Sequence, residues 1–149
     1  MTGDSSTDLL TSRLGYLFKH AHLQLTEAST RALEPFGIGG RELAVLAVLA
    51  GEDPLSQLEA AGRLGVDRTT MVALVDALEG KALVERRRSE RDRRRNIVQP
   101  TPAGRDLLHR AEQTRRETER RFLAPLAPAD ADGLVRALQT LVTSRPTAD

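Results

Sequence analysis

The chain has 149 residues, 40% of them hydrophobic and 29% charged, which fits one water-soluble folded domain or a small domain with helical extensions. That balance excludes a disordered chain, and the lack of cysteine excludes disulfides, thiolate metal sites and a thiol redox switch. The net charge of +1 is unevenly spread: residues 85–95 hold seven Arg and three acids, whereas residues 1–50 hold four basic and five acidic residues. A short basic stretch of this kind is the footprint expected for a nucleic-acid partner. With four aromatic residues and no Trp, the core must come from Leu, Val and Ala, as suits packed helices better than a β-sandwich. The segment before Leu9 lacks the basic and apolar regions of a signal peptide, and the run Leu43 to Ala50 is too short to span a bilayer. A cytoplasmic protein with no membrane partner is expected.

In chain order, Leu10, Leu14, Leu17, Ala21, Leu25, Ala28 and Ala32 recur every three or four residues and predict one amphipathic helix from Asp8 to Leu33. Such a helix would be roughly 39 Å long, which is long for so small a domain. Glu34-Pro35-Phe36-Gly37 ends it, and a second helix follows from Arg41 to Ala50. Ser56 and Glu59 form an S-x-x-E capping box that starts a third helix, with Gly65 as its C-terminal cap. Asp67 is the N-cap of a fourth, through Glu79, whose apolar stripe is Met71, Leu74, Val75 and Leu78. Two helices joined by a tight turn containing glycine match the description of a helix-turn-helix. The period then changes. Ala82 to Arg86 and Asn96 to Pro100 read as short strands around the charged segment Arg87 to Arg95, a β-hairpin in the position of a wing. Thr101 and Pro102 open another long helix, supported by the pairs Glu112–Arg116 and Glu117–Arg121 at i,i+4. After a break at Pro125 to Pro128, a last helix from Asp130 carries Leu134, Leu138 and Leu141 on one face, and the tail from Arg145 is expected to fray.

This order of elements, from Arg13 to Leu141, resembles the MarR family of bacterial regulators. The match rests on Val66-Asp67-Arg68-Thr69-Thr70-Met71, then Leu74-Val75-Asp76-Ala77-Leu78-Glu79, Leu83-Val84-Glu85-Arg86 and Ser89-Glu90-Arg91-Asp92-Arg93-Arg94. The last contains the family's Asp-x-Arg wing signature as Asp92 and Arg94. Three places depart from the pattern. Ala82 stands where a glycine usually precedes the Leu-Val of the first strand. Pro100-Thr101-Pro102-Ala103-Gly104 replaces Leu-Thr-x-x-Gly, and Val72 and Ala73 occupy recognition-helix positions that are often polar. The resemblance implies a mainly α (α+β) winged helix-turn-helix with a two-stranded β wing. It divides the chain into an N-terminal dimerisation helix (1–34), a DNA-binding domain (35–101) and C-terminal dimerisation helices (102–149).

An α-helix fits the major groove of B-DNA, and its first residues reach the base edges. Arg68, Thr69, Val72, Ala73 and Asp76 lie off the apolar stripe and are free to face DNA. Arg68 suits guanine, Val72 and Ala73 offer only apolar contact, and Thr70 joins them as a recognition-helix candidate or packs locally. In the wing, Arg86, Arg88, Arg91, Asp92, Arg93, Arg94 and Arg95 form the second set. Arginines here can neutralise phosphates or enter a narrow minor groove. By resemblance, Arg94 inserts and Asp92 pairs with it to shape the tip. Resemblance also implies a homodimer that places two recognition helices roughly 34 Å apart on a pseudo-palindromic double-stranded operator. A small-molecule effector, phenolic or otherwise lipophilic, would bind near the dimer helices, with Tyr16, His20 and Arg41 as candidate ligand residues. The lack of Cys argues against a peroxide-sensing thiolate, and the lack of Trp against some urate-responsive relatives.

No metal or cofactor is expected, because His20 and His22 point in different directions on a helix and no further ligand set stands out. An enzyme is not expected either: there is no nucleophile motif, phosphate loop or paired carboxylate constellation. The expected function is a sequence-specific DNA-binding transcriptional regulator, a repressor relieved by ligand. The alternatives are a winged-helix module for protein or RNA and a ligand-independent activator.

Overall fold

The computed structural model describes residues 5–144. It is mainly helical, with α1 (Ser5–Thr11), α2 (Leu14–Leu33), a 3-10 turn (Glu34–Phe36), α3 (Gly40–Leu49), α4 (Gln57–Leu64) and α5 (Arg68–Gly80). Strands β1 (Val84–Arg88) and β2 (Asn96–Pro100) follow, then α6 (Pro102–Leu123) and α7 (Pro128–Thr143). The expected tail at Arg145 lies outside the described residues.

The single N-terminal helix expected from the Leu and Ala stripe is two helices. Arg13 takes an extended conformation as the N-cap of α2. Just before it, the Thr11 hydroxyl donates to the Asp8 carbonyl and the Ser12 hydroxyl to the Leu9 carbonyl. Hydroxyls bonded this way compete for the carbonyls that would continue the helix, so the chain breaks there. The 20 residues of α2 therefore span about 30 Å.

Capping follows the local sequence closely. The Ser56 hydroxyl accepts from the Glu59 N–H, and Gly65 closes α4 in the left-handed conformation at φ 65°. The Asp67 carboxylate accepts from the Thr70 N–H to start α5, and the Thr101 hydroxyl accepts from the Gly104 N–H to start α6. The last helix begins two residues earlier than expected, at Pro128, where proline suits a first turn.

The core sits in the winged part of the chain. Leu33, Leu43, Val45, Leu46, Leu49, Leu55, Met71, Val75 and Leu78 are all buried, with Val84 and Val98 from the strands and Ala111 from α6. The recognition-helix stripe is thus the inward face of α5, which fixes the opposite face to solvent. Strands β1 and β2 pair antiparallel with Val84 opposite Pro100 and Arg88 opposite Asn96. A bridge between Leu55 and Val98 ties the hairpin to the chain ahead of α4.

The terminal helices differ. No side chain of α7 is buried, and Leu33 alone is buried in α2. Leu10, Leu14, Leu17, Phe18 and Leu23 on the N-terminal side, and Leu134, Val135, Leu141 and Val142 on α7, are exposed. Large apolar side chains on helix after helix leave a face that water alone covers poorly.

Ala82 is the only non-glycine among the described residues with a positive φ, at 59°. It stands at the position where the sequence pattern led us to expect glycine. Left-handed backbone costs an L-residue with a Cβ about 1–2 kcal/mol, partly offset by the lower chain entropy of alanine when unfolded. Ala82→Gly is therefore expected to stabilise the protein by about 0.5–1 kcal/mol, read as a raised denaturation midpoint. A lowered midpoint would show that the turn is not strained.

Candidate nucleic-acid interface

Helix α5 presents a compact outward row. Arg68 and Thr69 are exposed in its first turn, Val72 is half-buried and Ala73 is exposed one turn on. Thr70 is half-buried and faces back on the cap: its hydroxyl donates to the second Asp67 carboxylate oxygen while its N–H bonds the first at 3.1 Å. These two Thr70 bonds, the side-chain one foremost, hold the Asp67 carboxyl below the usual carboxylate range. The α5 N-terminus thus carries a fixed anion at its cap and a cation, Arg68, directly after it. Val72 and Ala73 give the helix an apolar patch where a polar side chain would read donors and acceptors, so they suit thymine methyl groups.

The wing is shaped by its own backbone. The Ser89 hydroxyl accepts from the N–H groups of Arg91 and Asp92, each at 3.3 Å, and the Ser89 N–H donates to the Arg95 carbonyl at 2.8 Å. Asp92 does shape the tip, but through the backbone: its carboxylate accepts from the Arg94 N–H at 3.0 Å. The expected side-chain pair between Asp92 and Arg94 is not among the ion pairs of the described residues. Asp92 thus meets Arg94 at its backbone, and the exposed Arg94 side chain is accessible to an outside anion.

The seven wing arginines divide by what already neutralises them. Arg86 binds Asp76 at 2.6 Å and Glu79 at 2.8 Å, both on α5, and donates to the Gln57 side chain at 3.2 Å. Arg87 meets Glu85 at 3.2 Å, and Arg95 is paired with Glu59 at the start of α4. Arg88, Arg91, Arg93 and Arg94 have no ion-pair partner among the described residues, and all four are exposed. Asp76, expected to face a partner, is taken up by Arg86. Gln57 and Glu79 are not legible as partners of Arg86, because residues 29 and 7 positions away leave no local pattern.

Under the hairpin, between β1, the wing loop and the start of α4, lies a polar concavity of about 770 Å³ that includes Glu59, Arg63, Arg88, Arg91 and Arg95. Elsewhere, α2, α6 and α7 enclose an apolar groove of about 450 Å³ lined by Leu25, Phe122, Leu123, Leu134 and Leu138. Tyr16 and His20 lie ring beside ring on α2, 4.1 Å between centroids, while Arg41 is exposed at the start of α3. None of the three lines either space.

Helix α6 is bound to itself by charge. Glu112 pairs with Arg115 at 2.9 Å, not with Arg116 as the i,i+4 spacing suggested, and Arg115 also reaches Glu119 at 2.6 Å. Glu112 takes the nearer of two arginines in sequence, and the Arg115 guanidinium then lies between two carboxylates. Arg121 pairs with Glu117 at 3.3 Å as expected. No helix among the described residues is long and apolar enough to cross a membrane.

Comparison with known proteins gives three consistent results. The sequence profile of the MarR family matches residues 36–95, from the end of the 3-10 turn through the wing. A Thauera aromatica protein, named as the proposed transcriptional regulator of the hcr operon, is 33% identical over 129 residues, covering 87% of this chain and 75% of its own. Among solved structures, the transcriptional repressor CouR bound to a 23-mer DNA duplex is 34% identical with a TM-score of 0.83, covering 89% of this chain and 94% of its own. CouR from Rhodococcus jostii bound to p-coumaroyl-CoA is 27% identical with a TM-score of 0.80, covering 93% and 98%.

Proposed function

The chain belongs to the MarR family of transcriptional regulators, and from that premise we propose that it is a cytoplasmic, non-enzymatic repressor that binds a pseudo-palindromic operator as a homodimer. The observation that carries this reading is the presence of two exposed features in the winged domain. One is the first turn of α5 with Arg68 and Thr69; the other is a wing with four exposed arginines that have no ion-pair partner among the described residues. The first suits base edges in the major groove, the second phosphates and a narrow minor groove. The division into dimerisation segments (1–34 and 102–149) around a DNA-binding domain (35–101) follows the same logic. The buried core lies within the winged part and the exposed apolar faces on α1, α2 and α7. A second copy would cover those faces and set the distance between the two recognition helices.

The effector is a small molecule with an aromatic or lipophilic part. CouR, similar over most of this chain, is known with an aromatic acyl thioester bound, and the groove between α2, α6 and α7 supplies an apolar lining. Tyr16, His20 and Arg41, which do not line this groove, could meet only a part of the ligand that extends beyond it. Its effect is a population shift: ligand favours a dimer whose half-site spacing does not match the operator, by about 1–3 kcal/mol of coupling.

The test is a titration of the purified protein onto its own upstream intergenic DNA by fluorescence anisotropy, at several salt concentrations, beside a shuffled duplex. Two protomers per site, preference for the native sequence and a steep salt dependence are the expected result. Equal, weak binding to this duplex, to its shuffled control and to a genome-wide pool of fragments would overturn the reading.

A further inference from the structure

The ion pairs and hydrogen bonds of Arg86 join three elements: β1, which carries it, α5 through ion pairs with Asp76 and Glu79, and α4 through a hydrogen bond to Gln57. Its side chain is 33% exposed and both terminal nitrogens are engaged. A phosphate approaching Arg86 would find three of its five N–H donors already engaged, two of them by carboxylates, and would meet the charge of Asp76 and Glu79 as it came. Position matters too. Asp76 and Glu79 lie on the second half of the recognition helix, and Arg86 lies two residues into the first wing strand. The contact therefore spans the two parts that must meet DNA together; the other ties of the hairpin, Arg95 to Glu59 on α4 and Val98 to Leu55 ahead of α4, do not reach α5.

We propose that Arg86 is a positioning residue: it locks the wing to the recognition helix, fixing where the wing-tip arginines fall, and makes no contact with DNA itself. The proposal rests on the DNA-binding reading for its consequence, but the lock is a property of the free protein. Its chemistry explains why Arg86, alone of the seven among the described residues, is held between two carboxylates. It also explains the two acids on α5, which unpaired would repel the phosphates beside the major groove.

The experiment uses the full chain with Arg86→Gln, Asp76→Asn/Glu79→Gln and Arg94→Ala, singly and with Arg94→Ala added to each of the first two. Operator affinity is measured against salt, and amide hydrogen exchange is measured across residues 87–96 without DNA. Circular dichroism and the melting midpoint confirm that each variant is folded. If Arg86 is the lock, Arg86→Gln weakens operator binding about tenfold, lowers the salt slope only as far as tip contacts are lost, and the wing amides exchange faster. The loss caused by Arg94→Ala then becomes smaller in the Arg86→Gln background, since a wing that is no longer aimed gains less from its tip; coupling of this kind appears as non-additivity. The carboxylate variant, which keeps the Arg86 charge, reproduces the faster exchange and the coupling.

A salt slope shallower by about 0.9 in Arg86→Gln, with Arg94→Ala strictly additive, would make Arg86 a phosphate ligand and overturn the proposal. A carboxylate variant that binds more tightly with a steeper slope would do the same, because freeing Arg86 would then have added a contact. Should the wild type fail to prefer any DNA, the regulator reading falls by itself. Unchanged exchange in both Arg86→Gln and the carboxylate variant would still reject the lock, and faster exchange in both would uphold it.

Discussion

Gly104→Ala is expected to lower the unfolding free energy by about 3 kcal/mol, at the upper end of what overpacking a well-filled core costs. A Cβ on residue 104 would stand 2.0 Å from the Leu83 carbonyl oxygen, 2.9 Å from its carbon and 3.3 Å from the Leu83 Cα. All three are backbone atoms, so no side-chain rotation relieves the clash. The approach is this close because the start of α6 is tied to the turn before β1. The Thr101 N–H donates to the Leu83 carbonyl at 3.0 Å, and the Thr101 hydroxyl donates to the Ala82 carbonyl at 2.7 Å while accepting from the Gly104 N–H. Making room means pulling α6 away from the wing base and giving up those bonds. Chemical denaturation with the wild type alongside decides it: a midpoint within error of wild type would show that α6 slides freely.

Arg94→Ala is expected to weaken operator binding about 10- to 100-fold, which corresponds to roughly 1–3 kcal/mol, and to make the salt slope shallower by about 0.9. The reason is geometric. Asp92 spends its carboxylate on the Arg94 N–H, so the tip is folded while the guanidinium stays exposed and without an ion pair among the described residues. If that guanidinium enters the minor groove, the loss also depends on what lies beneath the wing. It should be largest over a narrow A·T tract and shrink when those pairs are replaced by G·C. Anisotropy titrations on the two duplexes separate the cases. A uniform loss on both would mark Arg94 as a phosphate contact, and no loss on either would remove the wing from the interface.

What the sequence showed and what it hid divide by the range of the interactions. Ser56, Gly65, Asp67 and Thr101 could be placed as caps because a cap depends on residues three or four positions away, and each was found in its expected role. The stripe Met71, Leu74, Val75 and Leu78 identified the inward face of α5 because helical period alone decides it. The break at Arg13 was missed although its cause is local. The stripe runs unbroken across Thr11 and Ser12, and a helical period of that length masks the signal of two hydroxyls. Ala82 gave a partial signal: the missing glycine was noticed, but only the backbone shows that alanine bears the left-handed turn. For Arg86, Arg95 and Glu59 there was nothing to read. In an arginine-rich strand, the one that turns back to a carboxylate is chosen by tertiary position, and seven identical side chains do not disclose it. Likewise, spacing allowed Glu112 two arginine partners, and packing selected Arg115.

The wing contains seven arginines and no lysine. A guanidinium keeps its charge at every pH a cell reaches, and methylation leaves that charge in place, whereas a lysine can be silenced by acetylation. The hold on a polyanion built from such a segment has no chemical off-switch: neither acid nor an acyl donor can discharge it. Letting go must therefore be an act of geometry, in which the two halves of the grip are carried out of register while each remains fully charged.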